Sequence, residues 1–284
     1  MQLAKCLTDN HIWDAVEFAA LPDSQLDVLR RNLSCTECAE FAWFRKASRH
    51  GHPAHFCAHH LESCSLKIGH TTVDDSDADK GDDLNTGHDI VVNLENEKGG
   101  SIDVQKPSLN PQVGPYDEQK RYIIVGSRPG FSQNLSLRRI LYKLVQSPDF
   151  RESKKSIVFL KGNNDVLVEG MLKDVISSFD MVTESHNEKF QFYWGAIASA
   201  KKSTDGKLWL NSASRYQAIS IVLFEDMVDD FLNIFEIEDI EDLAGAHVLV
   251  AGRCKIGSKK KPIIWCGTSK YLAVRKYKTI QADF

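Results

Sequence analysis

The spacing of apolar residues changes character several times along the chain. Over residues 1–33 it is helical: Trp13, Val16, Phe18 and the alanines around them follow a helix period. Pro22-Asp23-Ser24 resets the chain, and Asp23 or Ser24 can cap a second helix through Leu26, Val28 and Leu29. Residues 71–117 offer little to bury. Asp74, Asp75, Asp77, Asp79, Asp82 and Asp83 repel one another, and Gly99-Gly100, Pro107, Pro111 and Pro115 punctuate the rest. A flexible acidic linker is expected there, with one short strand at Ile90-Val91-Val92. Structure resumes with a buried strand at Arg121–Val125 and a turn at Gly126–Gly130. A helix is expected over Leu135–Val145, with Leu137, Ile140, Leu141 and Leu144 on one face and Arg138, Arg139 and Lys143 near the other. A strand at Ile157–Leu160 and a helix over Val166–Phe179 complete a small α/β unit.

From residue 190 the period becomes that of strands: Phe190–Ser199, Lys207–Asn211 after an Asp205-Gly206 hairpin signal, and β-branched Ile219–Phe224. An amphipathic acidic helix, Asp229–Leu243, follows, then strands at His247–Cys254, Pro262–Cys266 and Tyr271–Tyr277. Three strands, a helix and two or three further strands is the order of a five-stranded Greek-key barrel. That order, with the passage Leu243-Ala244-Gly245-Ala246-His247-Val248-Leu249-Val250-Ala251-Gly252, resembles the OB-fold family. The resemblance implies a binding surface and no catalytic signature. The expected fold class is α+β. It comprises a helical and zinc-finger module (1–70), the linker (71–117), the α/β unit (118–189) and an OB-like barrel (190–284).

Composition changes this picture only when divided. The 284 residues are 42% hydrophobic and 26% charged, ordinary for a globular chain, with a net charge of −4. Residues 1–117 hold 10 Lys and Arg against 19 Asp and Glu, while 118–284 hold 25 against 20. A local nucleic-acid face is compatible with that asymmetry; cations solvating a helix surface explain it equally. No apolar run reaches the ~18 residues that a membrane span needs. The opening residues Met1–Cys6 lack an apolar signal core, so a reducing setting is expected, cytoplasmic or nuclear.

Seven cysteines is an odd number, and four of them fall between residues 35 and 64. In a chain without an export signal that favours a metal site over disulfides. Cys35-Thr36-Glu37-Cys38 can present two thiolates to one zinc ion. His55, Cys57, His59, His60 and Cys64 compete for the two remaining places. His60 and Cys64, one helical turn apart, form one pair; His55 and Cys64 form another. A segment with so few large aliphatics needs the metal's binding energy to fold. Cys35-x2-Cys38, Arg45-Lys46, Pro53-Ala54-His55-Phe56 and Cys64 resemble the N-terminal zinc module of competence CoiA-like proteins. That resemblance implies Cys35, Cys38, His55 and Cys64 as ligands. The family's second histidine would fall on Ala58, and this chain has His59 and His60 instead. It also implies a following nuclease-like domain, but neither Glu95-Asn96-Glu97-Lys98 nor Asp103-Val104-Gln105-Lys106 supplies its catalytic pattern on a buried strand. What remains is a role near DNA.

Single strands bind where rings stack bases and cations track phosphates. Strand alternation sorts Leu208 and Leu210 inward, and Lys207 and Trp209 outward; likewise Leu272 and Val274 inward, and Tyr271, Arg275 and Tyr277 outward. Tyr193 is also placed outward. Arg215-Tyr216 and the loop Lys259-Lys260-Lys261 add cations and a ring. Each aromatic could equally pack into a core or domain contact. Gly126–Gly130 lacks phosphate-loop spacing, Cys254 and Cys266 read as buried, and no nucleophile–base pattern stands out. The expectation is a non-catalytic zinc protein binding single-stranded DNA or RNA, DNA first. A protein–protein adaptor, with a partner held by the zinc module, and a diverged CoiA-like nuclease are the competing readings.

Overall fold

The computed structural model describes residues 1–47, 53–61, 63–66, 87–96, 102–104, 132–147, 149–213, 218–258 and 260–277. The expected strand at 121–125, the turn at 126–130, the run of aspartates from Asp74 to Asp83, and Arg215, Tyr216 and Lys259 lie outside these residues.

The N-terminal module is largely a sheet, where helices were expected. β1 (Leu3–Cys6) and β2 (Ile12–Asp14) are strands, followed by short α1 (Ala15–Ala19) and α2 (Asp23–Leu29). β3 (Leu33–Ser34), β4 (Phe41–Arg45) and β5 (His55–Ala58) complete an antiparallel sheet of order β2-β1-β3-β4-β5. Asp14 caps α1 by accepting from the Val16 amide at 2.8 Å, so the helix begins later than the apolar period implied. α2 begins at Asp23 with no side-chain cap. Its sequence is short enough that sheet packing, rather than helix propensity, decides the local structure.

Part of the expected linker is core. β6 (Ile90–Asn93) is flanked on both sides in a sheet of order β10-β9-β6-β8, and Ile90, Val91 and Val92 are at most 1% exposed. Three consecutive β-branched side chains bury both faces of a parallel strand. β7 (Ile102–Val104) runs parallel to the last strand of the chain. After β8 (Gln133–Asn134), α3 (Leu137–Gln146) forms as its apolar stripe predicts. Leu137, Ile140, Leu141 and Leu144 are buried, and Ser136 caps the helix through the Arg139 amide at 3.2 Å. α4 (Asp149–Glu152) leads into β9 (Ser156–Lys161).

The expected helix over Val166–Phe179 is instead β10 (Asp165–Met171), hairpinned onto β9, then α5 (Leu172–Val175) and β11 (Ile176–Ser178). Gly162 and Asn164, both at positive φ, turn the chain, and Val166 and Val168 favour the extended form.

The remaining strands are β12 (Phe190–Lys202), β13 (Leu208–Ser212), β14 (Ser220–Leu223), β15 (His247–Ile256), β16 (Pro262–Cys266) and β17 (Leu272–Tyr277), with α6 (Glu225–Ile234) between β14 and β15. The first five close a barrel in the order β12-β13-β14-β16-β15-β12. All its pairings are antiparallel except β14 with β16. This is an OB-like barrel. α6 starts four residues before the expected helix and packs Met227, Val228 and Phe231 against the interior. β17 is not a barrel strand; it pairs with the first residues of β15, His247 to Val250, while β16 pairs with the rest.

The α/β unit and the barrel share one core. Phe192 of β12, Leu249 and Ala251 of β15 and Ala273 of β17 are buried with α3 and β6. Phe159 stacks on Phe192 at 3.7 Å between ring centroids. Among the described residues no helix is long and apolar enough to cross a membrane.

Candidate metal centre and barrel face

Two turns of the N-terminal module converge. The first lies between β3 and β4. Cys35 donates its amide to Glu40 O at 2.8 Å, Ala39 turns at φ 56° and donates to Cys35 O, and the Glu37 amide points at Cys35 Sγ at 3.4 Å. The second turn follows β5 and carries His60 and Cys64, with the Cys64 amide donating to Leu61 O at 3.1 Å. Glu37 ties the two together, accepting from the Ser65 amide at 2.7 Å and from its hydroxyl at 2.5 Å. Those bonds hold the Glu37 carboxyl below its ordinary range.

The result is four donors, Cys35, Cys38, His60 and Cys64, all within 4.8 Å of one another. Cys35 Sγ lies 3.9 Å from Cys64 Sγ; His60 Nδ1 lies 3.6 Å from Cys38 Sγ and 3.2 Å from Cys64 Sγ. Metal–sulfur bonds near ~2.3 Å and metal–nitrogen bonds near ~2.0 Å require tetrahedral edges of about 3.3–3.8 Å; these three separations lie close to that range, so the group could hold one tetrahedral ion. Its protonation is unequal. Burial opposes the Cys38 thiolate, but amides of Leu61 and Glu40 and the neighbouring thiols bring its pKa below that of an ordinary thiol. Cys64 is pushed up to about 11, by burial first and then by the sulfurs beside it. Three clustered sulfurs become thiolates together only around a cation.

His55 is not part of this set. It sits on β5, its Nδ1 2.9 Å from Pro53 O, and burial of Cys57 beside it is offset by His55 and Arg45, which lower the thiol's pKa. The ligand assignment implied by the CoiA resemblance is corrected here: His60 takes the place expected of His55. The spacing argument from His60 to Cys64 carried that information; the resemblance did not.

The module is packed onto the barrel. Arg30, 2% exposed, donates to both Glu241 oxygens at 2.7 and 3.3 Å and to Phe44 O at 3.2 Å. Arg45 reaches Tyr277 O at 2.7 Å. His59, next to the ligand His60, lies 4.6 Å from the Trp43 ring, 4.7 Å from His247 and 4.9 Å from Tyr277. Gly245 sits under Trp43 at φ +83°, and a Cβ there would fall 1.9 Å from the indole.

On the barrel's outer face the register aligns a row across all five strands. Lys201 pairs with Trp209, Trp209 with Val222, Val222 with Trp265, and Trp265 with Arg253. Two strand steps, about 10 Å, separate the tryptophans. Trp209 is half-buried, and Trp265 is 40% exposed with Phe224 at its edge. Lys255 Nζ stands 5.0 Å over the Trp265 ring. Trp265, Lys255 and Arg253 were missed by sequence reasoning. The alternation in Arg253-Cys254-Lys255 and Ile264-Trp265-Cys266 could have found them, because Cys254, Ile264 and Cys266 fill the interior.

The other expected contacts scatter. Lys207 is paired with Asp205 at 2.6 Å, beside the row. Lys260 is exposed, 3.5 Å from Glu184, and Lys261 is half-buried with Arg31 near it. Tyr271 is half-buried and packs against the core shared with the α/β unit. Arg275 is not on an open face: it is 2% exposed, near the rings of Tyr142 and Tyr277 at 5.3 and 5.4 Å. Because β17 lies outside the barrel, its second face is covered by α3. Tyr193 points into the barrel at 0% exposure, donating to Lys189 O at 3.3 Å. Cys254 and Cys266 are buried, as expected, and burial pushes their thiols up to about 11 and about 12.

No family model matches the chain, and neither does any curated protein. Among solved structures, the chain is similar to a putative aspartyl-tRNA synthetase from Leishmania major Friedlin. The identity is 10%, over 39% of this chain and 26% of that one, with a TM-score of 0.25. The chain therefore spans about a quarter of that protein's length, and a likeness this slight carries no argument.

Proposed function

We propose that the chain is a non-catalytic zinc protein that binds single-stranded nucleic acid on the outer face of its barrel. The reading is carried by the Lys201–Trp209–Val222–Trp265–Arg253 row, in which two rings, separated by the buried Val222, lie between two cations. Bases stack on indoles without regard to sequence, while Lys255, together with Lys201 and Arg253 once they exchange Asp27 and Glu188 for the strand, neutralises phosphates. Zinc suits the Cys35, Cys38, His60 and Cys64 donors, three soft sulfurs and one imidazole closing a tetrahedron. With all four positions taken by protein, the ion's part is structural: it holds the two turns, and through His59 and Trp43 it positions the module against the barrel.

Fluorescence anisotropy with a labelled oligonucleotide tests the reading. Affinity for a single strand should exceed that for a duplex and fall steeply with salt. Equal, salt-insensitive binding, or none, would refute it. One equivalent of zinc in the purified protein, lost in the Cys35→Ser/Cys38→Ser variant, is the outcome expected for the metal.

A further inference from the structure

A cavity of about 360 Å3 opens where β11, the first residues of β12 and the turn at 183–189 meet, away from the metal donors. That volume is in the range of small-molecule sites. Its interior carries buried polar groups: Ser177 is 4% exposed, Gln191 7% and Arg151 8%. Their bonding is directional. The Thr183 amide donates to His186 Nδ1 at 3.1 Å, so in the neutral ring Nε2 carries the proton. Burial, with Lys189 and Arg151 nearby, keeps His186 below the usual imidazole range and hence neutral at physiological pH. His186 Nε2 thus donates to Ser177 Oγ at 3.3 Å, and Gln191 Nε2 donates to the same oxygen at 2.6 Å. With two donors already on its oxygen, Ser177 is no activated nucleophile; its hydroxyl proton is left to donate into the cavity.

Charge at the rim has the complementary sign. Lys173 and Lys189 are exposed cavity-lining residues, and among the described residues neither ammonium lies within ion-pair distance of a carboxylate. Arg151 is held by Ile176 O and Lys173 O, each at 2.6 Å, and by Glu152, which fixes its charge beneath that rim. Among the described residues, Asp174 is the one carboxylate lining the cavity.

We propose that this cavity is a binding site for a phosphate monoester, with Lys173 and Lys189 engaging the dianion and the Ser177 hydroxyl donating to it. Hydroxyl and ammonium donors around one oxyanion are the arrangement that phosphate recognition needs. The ester's source is either a free small molecule or the phosphorylated end of a nucleic-acid strand. Arg253, the last member of the outward row, donates to Glu188 O at 3.1 Å, beside Lys189, so a strand on the barrel could deliver its end here. The site itself does not rest on the barrel-face reading.

The test uses the full chain and the exposed pair Lys173→Gln/Lys189→Gln, which leaves the buried residues intact. Inorganic phosphate, added at constant ionic strength, should shift the His186 ring signals in NMR, and the double variant should weaken that response about tenfold. A parallel arm compares one oligonucleotide with and without a 5′-terminal phosphate. Tighter binding of the phosphorylated form, lost in the double variant, supports the site and names the strand end as source. A phosphate response with no terminal-phosphate effect supports it for a free monoester. No movement of His186 with phosphate, or a response the double variant leaves unchanged, overturns the proposal. Trp265→Ala is a separate control: it weakens the unphosphorylated strand without altering the His186 response, so failure of either reading is visible alone.

Discussion

The metal module and the barrel bury their cores with different materials. Among the described residues, the module's core cluster has twelve members, seven of which are alanine or cysteine. The barrel's has twenty-four, dominated by Ile, Leu, Val and Phe. Each large aliphatic or aromatic contributes about 1.5–3 kcal/mol on burial, and alanine much less. The barrel also satisfies its strand edges by closing on itself, whereas the module's sheet ends at β2 and β5. One region therefore has burial and closure to draw on; the other has a smaller core and four converging donors that could hold a metal ion. The contrast teaches that a shared surface does not imply a shared source of stability.

The largest effect expected from breaking this contrast is metal loss. Cys35→Ser/Cys38→Ser, or chelation, should cost the module more than ~3 kcal/mol and abolish amide protection in β3–β5, while β12–β16 keep theirs. Hydrogen exchange checks this, and protection retained in both regions would mean the metal is dispensable. Next comes the contact between them. Gly245→Ala places a Cβ against Trp43 at a positive φ and should cost about 2–4 kcal/mol. Limited proteolysis should then cut the module faster than the barrel.

Trp265→Ala should weaken single-strand binding by about 1–3 kcal/mol with little change in Tm. Unchanged affinity would remove the barrel row from the function. His247 gives a pH dependence of known sign. Half-buried and desolvated, next to His59 and Arg275, it is held well below its ordinary value of 6.5 and stays neutral when folded. The unfolded chain takes up that proton first, so its contribution to stability is complete above pH 6.5 and is lost as pH falls below it. Urea midpoints should drop less between pH 7.5 and pH 5.5 in His247→Asn than in the parent; metal release is common to both, so the difference isolates His247. The smallest effect belongs to Lys201→Ala. Its ion pair with Asp27 at 2.6 Å is exposed and should contribute only about 0.2–1 kcal/mol, read as a shift in urea midpoint.

The barrel was legible where a strand alternates, as Leu208, Trp209 and Leu210 do, and where β-branched residues concentrate, as in Ile219–Phe224, although β14 is buried on both faces. α3 was legible for the same reason at helical period. Residues 1–33 were not. Leu3–Cys6 and Ile12–Asp14 are too short to show a period, and their strand form comes from pairing with each other and, for Leu3–Cys6, with β3, partners that periodicity does not reveal. Val166–Phe179 misled because the hairpin is imposed by Gly162 and Asn164 upstream. In the metal site Cys35, Cys38, His60 and Cys64 were all visible, but His55 was equally plausible until the turn after β5 fixed which imidazole faces the sulfurs. On the barrel face Trp209 was found and Trp265 missed. Arg275 was misplaced because a flanking strand has the same alternation as a barrel strand, and only the position of α3 distinguishes them.

β12 runs for thirteen residues and serves two territories at once. Its early residue Phe192 lies against Phe159, its Tyr193 faces the barrel interior, and its far end at Lys201 meets α2. A cut between residues 189 and 190, the natural place to divide the chain by sequence, would take from the upstream half the wall its aromatic packing leans on. Transplanting that half into another protein should yield an insoluble fragment. Genetic rearrangements or expression designs that respect this molecule must keep residues 87–277 together as a unit of inheritance.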